Sequence, residues 1–231
     1  MKARFLLIAV LAALLLACGS PHKLQGPFEV WERTVITMSD SVMYVFVTSE
    51  FMDSLELRAT CRDLSEEELR SDLLSMLSTK MLATVRSPQQ GGVGIAAPQV
   101  GLRRRVVAVQ RLDKPGEPFE VYPNIRILAH LGDTVRGPEG CLSIPGMRGI
   151  VPRSEGVVVS WTDPQTLQAV TDTVHGFTAI IFQHEIDHLD GILYTDRADT
   201  VFVNQAWLDE RAPYEAEGAY DKPRWLYGPE A

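Results

Sequence analysis

The chain has 231 residues, of which 45% are hydrophobic and 23% are charged, an ordinary composition for a soluble globular protein with a real core. Its formal net charge is −8 at pH 7. A surface that binds nucleic acid has to neutralise phosphates with basic side chains, so this charge balance argues against nucleic acid as a partner. Three cysteines are too few for a disulfide framework.

The N-terminal segment differs from the rest of the chain. Lys2 and Arg4 precede an unbroken apolar run at residues 5–17, shorter than the ~20 residues that a bilayer-spanning helix needs. The segment therefore indicates an export signal. Its end, Leu15-Leu16-Ala17-Cys18, resembles the lipobox of bacterial lipoproteins, in which the cysteine is lipidated and becomes the mature N-terminus.

We predict a signal peptide at residues 1–17, lipidation of Cys18 and a protein exported and anchored to a membrane. An ordinary secretory signal and an uncleaved anchor are the alternatives, and a leader that is not processed would leave the protein in the cytoplasm. Residues 18–27 form a polar linker, residues 28–212 a catalytic domain with an N-terminal β extension, and residues 213–231 a tail to which we assign no structure.

The pattern of the domain predicts an α+β fold. Residues 28–37 and 41–48 are rich in β-branched and aromatic side chains and predict a β-hairpin. Ser65 and Glu68 form a capping box that begins a helix, whose apolar residues recur at helical spacing to Met81. Strands are predicted at residues 105–110, 119–122, 157–161 and 169–174, then a helix carrying a histidine motif and a helical piece at 204–211.

The histidine motif is the strongest chemical signal in the sequence. His184 and His188 are four residues apart, so a helix directs both imidazoles from one face towards a single metal ion. Glu185 is close enough to act on a metal-bound water without being a ligand. The helix face that leads to the histidines is apolar, as the floor of a hydrophobic pocket would be; it carries Phe177, Ile180 and Ile181.

A catalytic metal site of this kind needs a third protein ligand, and two residues are candidates, Glu210 and Cys141. Tyr194 stands where a metzincin has its third histidine, which argues against that class. Glu210 could serve as the downstream glutamate of a gluzincin. Cys141, in a tight segment flanked by glycine, would bind as a thiolate, although a lone cysteine is usually a small buried hydrophobe.

Three stretches together resemble the signature motifs of the peptide deformylases. They are a G-x-G-x-A-A-x-Q run at residues 92–99, an E-G-C-L-S run at 139–143 and an H-E-x-D-H run at 184–188. All three are complete and stand in the family's order, and the resemblance extends from about residue 52 to about residue 197. It implies antiparallel sheets packed around a central metal-binding helix.

The resemblance also implies the roles of individual residues. Cys141, His184 and His188 would hold one divalent metal ion, Fe²⁺ by the resemblance or Zn²⁺, with water as the nucleophile. Glu185 would be the general base, and the Gln99 amide and the Leu142 backbone N–H would stabilise the developing oxyanion. The residues that would bind the substrate, an N-formylmethionyl peptide, are Val93, Gly94, Arg148, Phe177, Ile180 and Ile181.

One feature departs from the family. Deformylases act on nascent chains in the cytosol, whereas the leader of this chain predicts export. An exported metallopeptidase or amidase acting on other N-acyl peptides, and a catalytically silent metal- or peptide-binding lipoprotein, therefore remain as alternatives. The intact Glu185 and Gln99 argue against the silent protein.

Overall fold

The computed structural model describes residues 28–216, 221–223 and 226. The predicted signal peptide, the linker with Cys18 and part of the C-terminal tail lie outside these residues. The helices are α1 Val30–Met38, α2 Phe51–Leu57, α3 Glu66–Leu69, α4 Asp72–Val85, α5 Gly176–Leu189, α6 Tyr194–Arg197 and α7 Gln205–Ala216. The strands are β1 Gly94–Ala96, β2 Val106–Gln110, β3 Phe119–Pro123, β4 Arg126–Cys141, β5 Ile144–Thr162, β6 Ala169–His175 and β7 Thr200–Val203.

The strands form two antiparallel sheets. The first has the order β1-β2-β3, and the second has the order β4-β5-β6, with β7 also pairing with β5. Helix α5 contacts β1 and β2 of the first sheet and β5 of the second. Ten of its 14 residues are buried, because it lies in the apolar core that the two sheets share. The predicted α+β class is therefore confirmed, as is the central position of the helix that carries the histidine motif.

A second core lies on the other side of the first sheet. It joins α1 and α4 to β2 through fully buried side chains such as Ile36, Leu77, Met81 and Val106. Between Val85 of α4 and β1 the chain passes through a short turn-rich segment at residues 86–93. This arrangement fixes the glycine-rich stretch against the helix that carries the histidines.

The predicted N-terminal β-hairpin is wrong. Residues 30–38 form helix α1, and residues 41–48 form no regular strand. β-Branched residues favour strands, but here Glu32, Val35 and Ile36 recur at helical spacing and bury one face of α1. The Glu29 backbone N–H donates to Glu32 Oε2 at 2.8 Å, which caps the helix. Tertiary burial has overridden the local preference.

The helix predicted from Ser65 is two helices. The capping box is present, since Glu68 N donates to Ser65 Oγ at 3.2 Å and Ser65 N to Glu68 Oε2 at 2.8 Å. Helix α3 nevertheless ends at Leu69, and Ser71 starts α4 by accepting a hydrogen bond from Leu74 N. Two closely spaced serines therefore begin two helices, because each can satisfy the free N–H groups of a first turn.

The structure also contains a long β-ribbon that the sequence predicted only in part. Strands β4 and β5 pair over most of their length, with register shifts at three points along β4. Both strands contain glycines and prolines, which are rare in regular strands, so only the part of β5 at residues 157–161 was predicted. Parts of the tail are also ordered: α7 extends to Ala216, and Leu226 is buried in the α1–α4 core. Among the described residues, the helices are all too short or too polar to cross a membrane.

Candidate active site

Two elements bring the three predicted metal ligands together. His184 and His188 lie on α5, and Cys141 is the last residue of β4, which a two-residue turn at Leu142 and Ser143 joins to β5. The ligand atoms of the two histidines and the cysteine all lie within 4.8 Å of one another. The Cys141 Sγ is 3.2 Å from His188 Nε2. The thiol and the two imidazoles therefore converge on one point.

Glu139 fixes the first histidine of this cluster. Its Oε2 accepts a hydrogen bond from His184 Nδ1 at 2.8 Å, and its carboxylate also accepts two from Arg153, at 2.7 and 3.0 Å. Burial alone would raise the pKa of Glu139, but the hydrogen bonds from His184 and Arg153 lower it to about 2. A permanent carboxylate therefore holds Nδ1, which leaves His184 Nε2 as the ring nitrogen available to a metal ion.

Glu185 is buried beside the cluster rather than in it. Burial raises the pKa of its carboxyl to about 7, and its Oε2 has no hydrogen-bond partner among the described residues. A Cβ added to Gly94 would lie 2.9 Å from Glu185 Cδ, so β1 can approach the carboxylate this closely only because residue 94 is glycine. An orphaned, buried carboxylate oxygen is able to take up a proton inside the site.

The amide of Gln99 is fixed by its neighbours on both sides. Its Oε1 accepts a hydrogen bond from Ala96 N at 2.8 Å, while its Nε2 donates to Ser143 Oγ at 3.2 Å and lies 3.5 Å from Cys141 Sγ. The N–H group of Gln99 is therefore aimed at the thiol side of the cluster. Leu142 lies in the tight turn that directly follows Cys141.

A cleft of about 450 Å³ opens onto the cluster. The substrate-binding residues predicted from the sequence all line it, namely Val93, Gly94, Arg148, Phe177, Ile180 and Ile181. Three further lining residues come from the region where α7 begins: Asn204 and Trp207, which were not predicted as site residues, and Glu210, which the sequence offered only as a possible metal ligand. They carry no motif, and only the tertiary structure brings their helix to the cleft.

The residues at the positions where a metzincin and a gluzincin have their third ligand, Tyr194 and Glu210, lie elsewhere in the structure. Tyr194 is buried and stacks on His184 with ring centroids 6.1 Å apart, so it supports the imidazole from the side. Glu210 lines the cleft but does not belong to the group of ligand atoms that could share an ion. Cys141 is the candidate that the geometry brings to the two histidines.

The donor set fits a divalent metal ion. A thiol and two imidazoles in close contact are the ligand types that zinc and iron accept, and three protein ligands leave one coordination position open for water. A buried carboxylate next to such a site is typical of metal-dependent hydrolases. The fold and the site therefore define the class of protein as a metallohydrolase with a Cys/His₂ centre.

Comparison with known proteins identifies the family. Residues 50–202 match the model of the polypeptide deformylase family. A peptide deformylase of Desulforudis audaxviator is 39% identical over 160 residues, which cover 69% of this chain and 97% of that protein. The Nostoc protein named peptide deformylase 2 is 41% identical over 141 residues, or 58% of this chain and 76% of that protein.

Solved structures agree with this result. A class I type b peptide deformylase from Acinetobacter baumannii has 40% sequence identity and a TM-score of 0.60, covering 68% of this chain and 99% of its own. A peptide deformylase from Synechococcus elongatus in complex with actinonin has 30% identity and a TM-score of 0.60. The match covers 77% of this chain and 89% of that chain. The chain belongs to the peptide deformylase family of metal-dependent enzymes, which remove formyl groups from peptides.

Proposed function

We propose that this enzyme hydrolyses N-formylmethionyl peptides at a divalent ion held by Cys141, His184 and His188. The observation that carries the proposal is the convergence of these three ligand atoms within 4.8 Å beside a buried carboxylate. When bound, the ion would supply Lewis-acid activation of a water molecule and so make a nucleophile available near neutral pH.

Glu185 is the proton carrier in this proposal. Its Oε2 is buried without a hydrogen-bond partner among the described residues, so it is able to accept the proton of the attacking water. The same carboxyl can then deliver the proton to the nitrogen of the departing methionyl peptide, which leaves as a neutral amine. Glu185 does not need to bind the ion for either step.

Gln99 and Leu142 would stabilise the negative charge that develops on the formyl oxygen. The Gln99 carboxamide is held by Ala96 N and Ser143 Oγ, so its N–H group needs little reorganisation during the reaction. The Leu142 backbone N–H, in the turn after Cys141, would be the second donor. Removing one donor of this kind typically raises the barrier by ~2.7–4 kcal/mol.

The methionine side chain would occupy the apolar part of the cleft. Val93, Phe177, Ile180 and Ile181 line that part, and Arg148 provides a positive charge elsewhere in the lining of the cleft. Gly94 would allow the peptide backbone to run alongside β1. A similar structure from Acinetobacter baumannii, 38% identical with a TM-score of 0.59, contains bound Met-Ala-Ser, which supports a peptide with an N-terminal methionine as the ligand.

The test is a comparison of three matched peptides, formyl-Met-Ala-Ser, acetyl-Met-Ala-Ser and unblocked Met-Ala-Ser, with the purified metal-loaded enzyme. We expect release of formate from the first and no comparable reaction with the other two, because a pocket this close to the metal cluster leaves little room beyond a formyl group. Equal rates on the formyl and acetyl peptides would replace the proposal with a broader amidase.

We also propose that the enzyme works outside the cytosol as a lipoprotein anchored through Cys18. The support is the leader itself, with Lys2, Arg4, the apolar run at residues 5–17 and the lipobox-like end. Two or more acyl chains hold a protein stably on a membrane. Fractionation of cells that produce the native protein or its Cys18→Ala variant tests this, since only the native form is expected in the membrane fraction. Recovery of both forms in the cytosol would overturn it.

The proposed location has a consequence for the metal. A thiolate–Fe²⁺ site is vulnerable outside the reducing cytosol, because oxidation of Cys141 would remove a ligand. Zinc has no redox chemistry and suits a Cys/His₂ site. We therefore expect zinc in protein recovered from the membrane fraction, and metal analysis of that fraction that found iron would contradict this.

A further inference from the structure

A second cavity, of about 470 Å³, adjoins the active-site cleft. The two spaces share three lining residues, Gln90, Leu142 and Trp207, and therefore lie side by side. Most of the remaining described lining is apolar and includes Val42, Val45, Val47 and Pro145. We call this space the distal subsite.

The walls of the distal subsite come largely from outside the stretch that matches the family. The match covers residues 50–202, whereas Val42 and Val45 precede it and Trp207 and Pro223 follow it. The N-terminal and C-terminal additions of this chain therefore build a space that the matched domain does not supply by itself.

Both additions are fixed to elements that carry the active site. The Phe46 N–H donates to Gln99 O at 2.8 Å, and the Thr48 N–H donates to Ser143 O at 2.9 Å. At the other end of the chain, the Asn204 N–H donates to Gly146 O at 2.8 Å just before α7 begins. The distal subsite therefore has a defined position relative to the metal ligands.

A salt bridge attaches the C-terminal part of the lining to the rest of the protein. Lys222 Nζ lies 2.7 Å from Asp53 Oδ1, and the Asp53 side chain is fully buried. This contact ties the segment that contains Pro223 to the N-terminal half of the chain. A cavity whose walls are fixed at several points is able to discriminate between ligands by shape and polarity.

We propose that the distal subsite takes an apolar side chain of the substrate peptide, downstream of the formylated methionine. This inference rests on the proposed function. A peptide that runs alongside Gly94 with its formyl group at the metal cluster continues along the cleft past Gly92 and Gly91. These residues have no side chains to obstruct it, and the cleft then reaches Gln90 and Trp207, where the distal subsite begins.

The residues that line the distal subsite determine which side chain of the substrate peptide is expected to bind there. Leucine or phenylalanine would bury apolar surface against the valines and Pro145, whereas serine would gain little. Asp40 and Asp221 also line the space and are exposed, so an acidic side chain would meet charges of its own sign. Burying a leucine side chain is expected to change kcat/KM about tenfold relative to serine.

The test uses two peptide series, formyl-Met-Ala-X-amide and formyl-Met-Ala-Ala-X-amide, with leucine, serine or aspartate at X. For the native enzyme we expect leucine to exceed serine about tenfold in kcat/KM in at least one series, with aspartate lowest. Trp207→Ala, which removes one of the three side chains shared with the cleft, and Val42→Glu, which puts a negative charge in the lining, should bring the leucine-to-serine ratio close to one.

Val30→Glu is the matched control, because Val30 is 82% exposed and lines neither space. It should keep the native ratio. Equal kcat/KM for the three residues at X in the native enzyme, or equal leucine-to-serine ratios in the Val42→Glu and Val30→Glu variants, would overturn the subsite.

Hydrolysis of the dipeptide formyl-Met-Ala tests the proposed function separately. If the dipeptide is not hydrolysed, the proposed function is wrong. If it is hydrolysed and kcat/KM does not depend on X, only the subsite is wrong.

Discussion

Gly94 and Glu185 are in direct contact, although they come from different halves of the chain. A Cβ on Gly94 would lie 2.9 Å from Glu185 Cδ and closer still to Oε1. The backbone of β1 therefore forms one wall of the pocket that holds the proposed proton carrier. This contact explains the glycine without reference to any bound peptide.

The first prediction follows from that contact. In a Gly94→Ala variant the new methyl group should displace the Glu185 carboxyl, and kcat/KM on formyl-Met-Ala-Ser should fall on the order of 100-fold, as misplaced catalytic groups commonly cause. Metal content should stay full, since the ligands are untouched. Gly137→Ala is the control, because a Cβ there would meet nothing within 4 Å. Equal activity of the two variants would show that Glu185 is not held by this contact.

The second prediction separates ligands from the proton carrier. Cys141→Ser and His188→Ala should each lose most of the bound metal, while Glu185→Gln should keep the metal and lose turnover. The measurement is metal content per folded protein, with formate release measured in parallel. Cys61→Ser serves as the cysteine control, because Cys61 is buried away from the ligand cluster. A full metal complement in Cys141→Ser would remove the thiolate from the site.

The third prediction concerns the carboxylate behind His184. Glu139→Gln replaces a charged acceptor at 2.8 Å from His184 Nδ1 with a neutral amide and weakens the contact to Arg153. Loss of such a supporting partner typically costs 10–100-fold in metal affinity or activity. Titration with a competing chelator measures the affinity. The exposed Glu67 provides the control as Glu67→Gln, and an unchanged affinity in Glu139→Gln would refute the role of Glu139.

The fourth prediction concerns helix α1, which lies outside the family match. Ile36 is fully buried in the core that α1 shares with α4. Ile36→Ala should lower the free energy of unfolding by about 2–5 kcal/mol, as core truncations of this size do. Urea unfolding measures it, with the exposed Thr34→Ala as the control. A loss within ±0.5 kcal/mol, the range of ordinary surface substitutions, would mean that α1 is not part of the folded domain.

Some features of the site could be predicted from the sequence because they depend on the spacing of residues along one helix. His184, Glu185 and His188 need only a helix to be presented together, and the helix period fixes their relative directions. The apolar face of Ile180 and Ile181 follows from the same period. The capping box at Ser65 and Glu68 was equally local, and it is present as predicted.

Other features could not be read in this way, because they depend on contacts between distant parts of the chain. The residues alone left two candidates for the third ligand. The resemblance selected Cys141, and it is the turn of the β4–β5 ribbon that brings its sulfur to His188. The pairing of Glu139 with His184 joins residues 45 positions apart. At residues 30–38 the local preference favoured a strand, but burial of one face stabilises helix α1 instead.

The sequence by itself determined the chemistry of the centre and the family, because complete motifs with fixed spacing leave few arrangements open. It also determined the expectation of export, which depends on residues 1–18 alone. Tertiary structure alone decided that the N-terminal and C-terminal additions meet beside the active site, where Val42 and Trp207 line one cavity. No local pattern encodes that meeting, because it arises from burial of apolar surface and from hydrogen bonds between segments far apart in the chain.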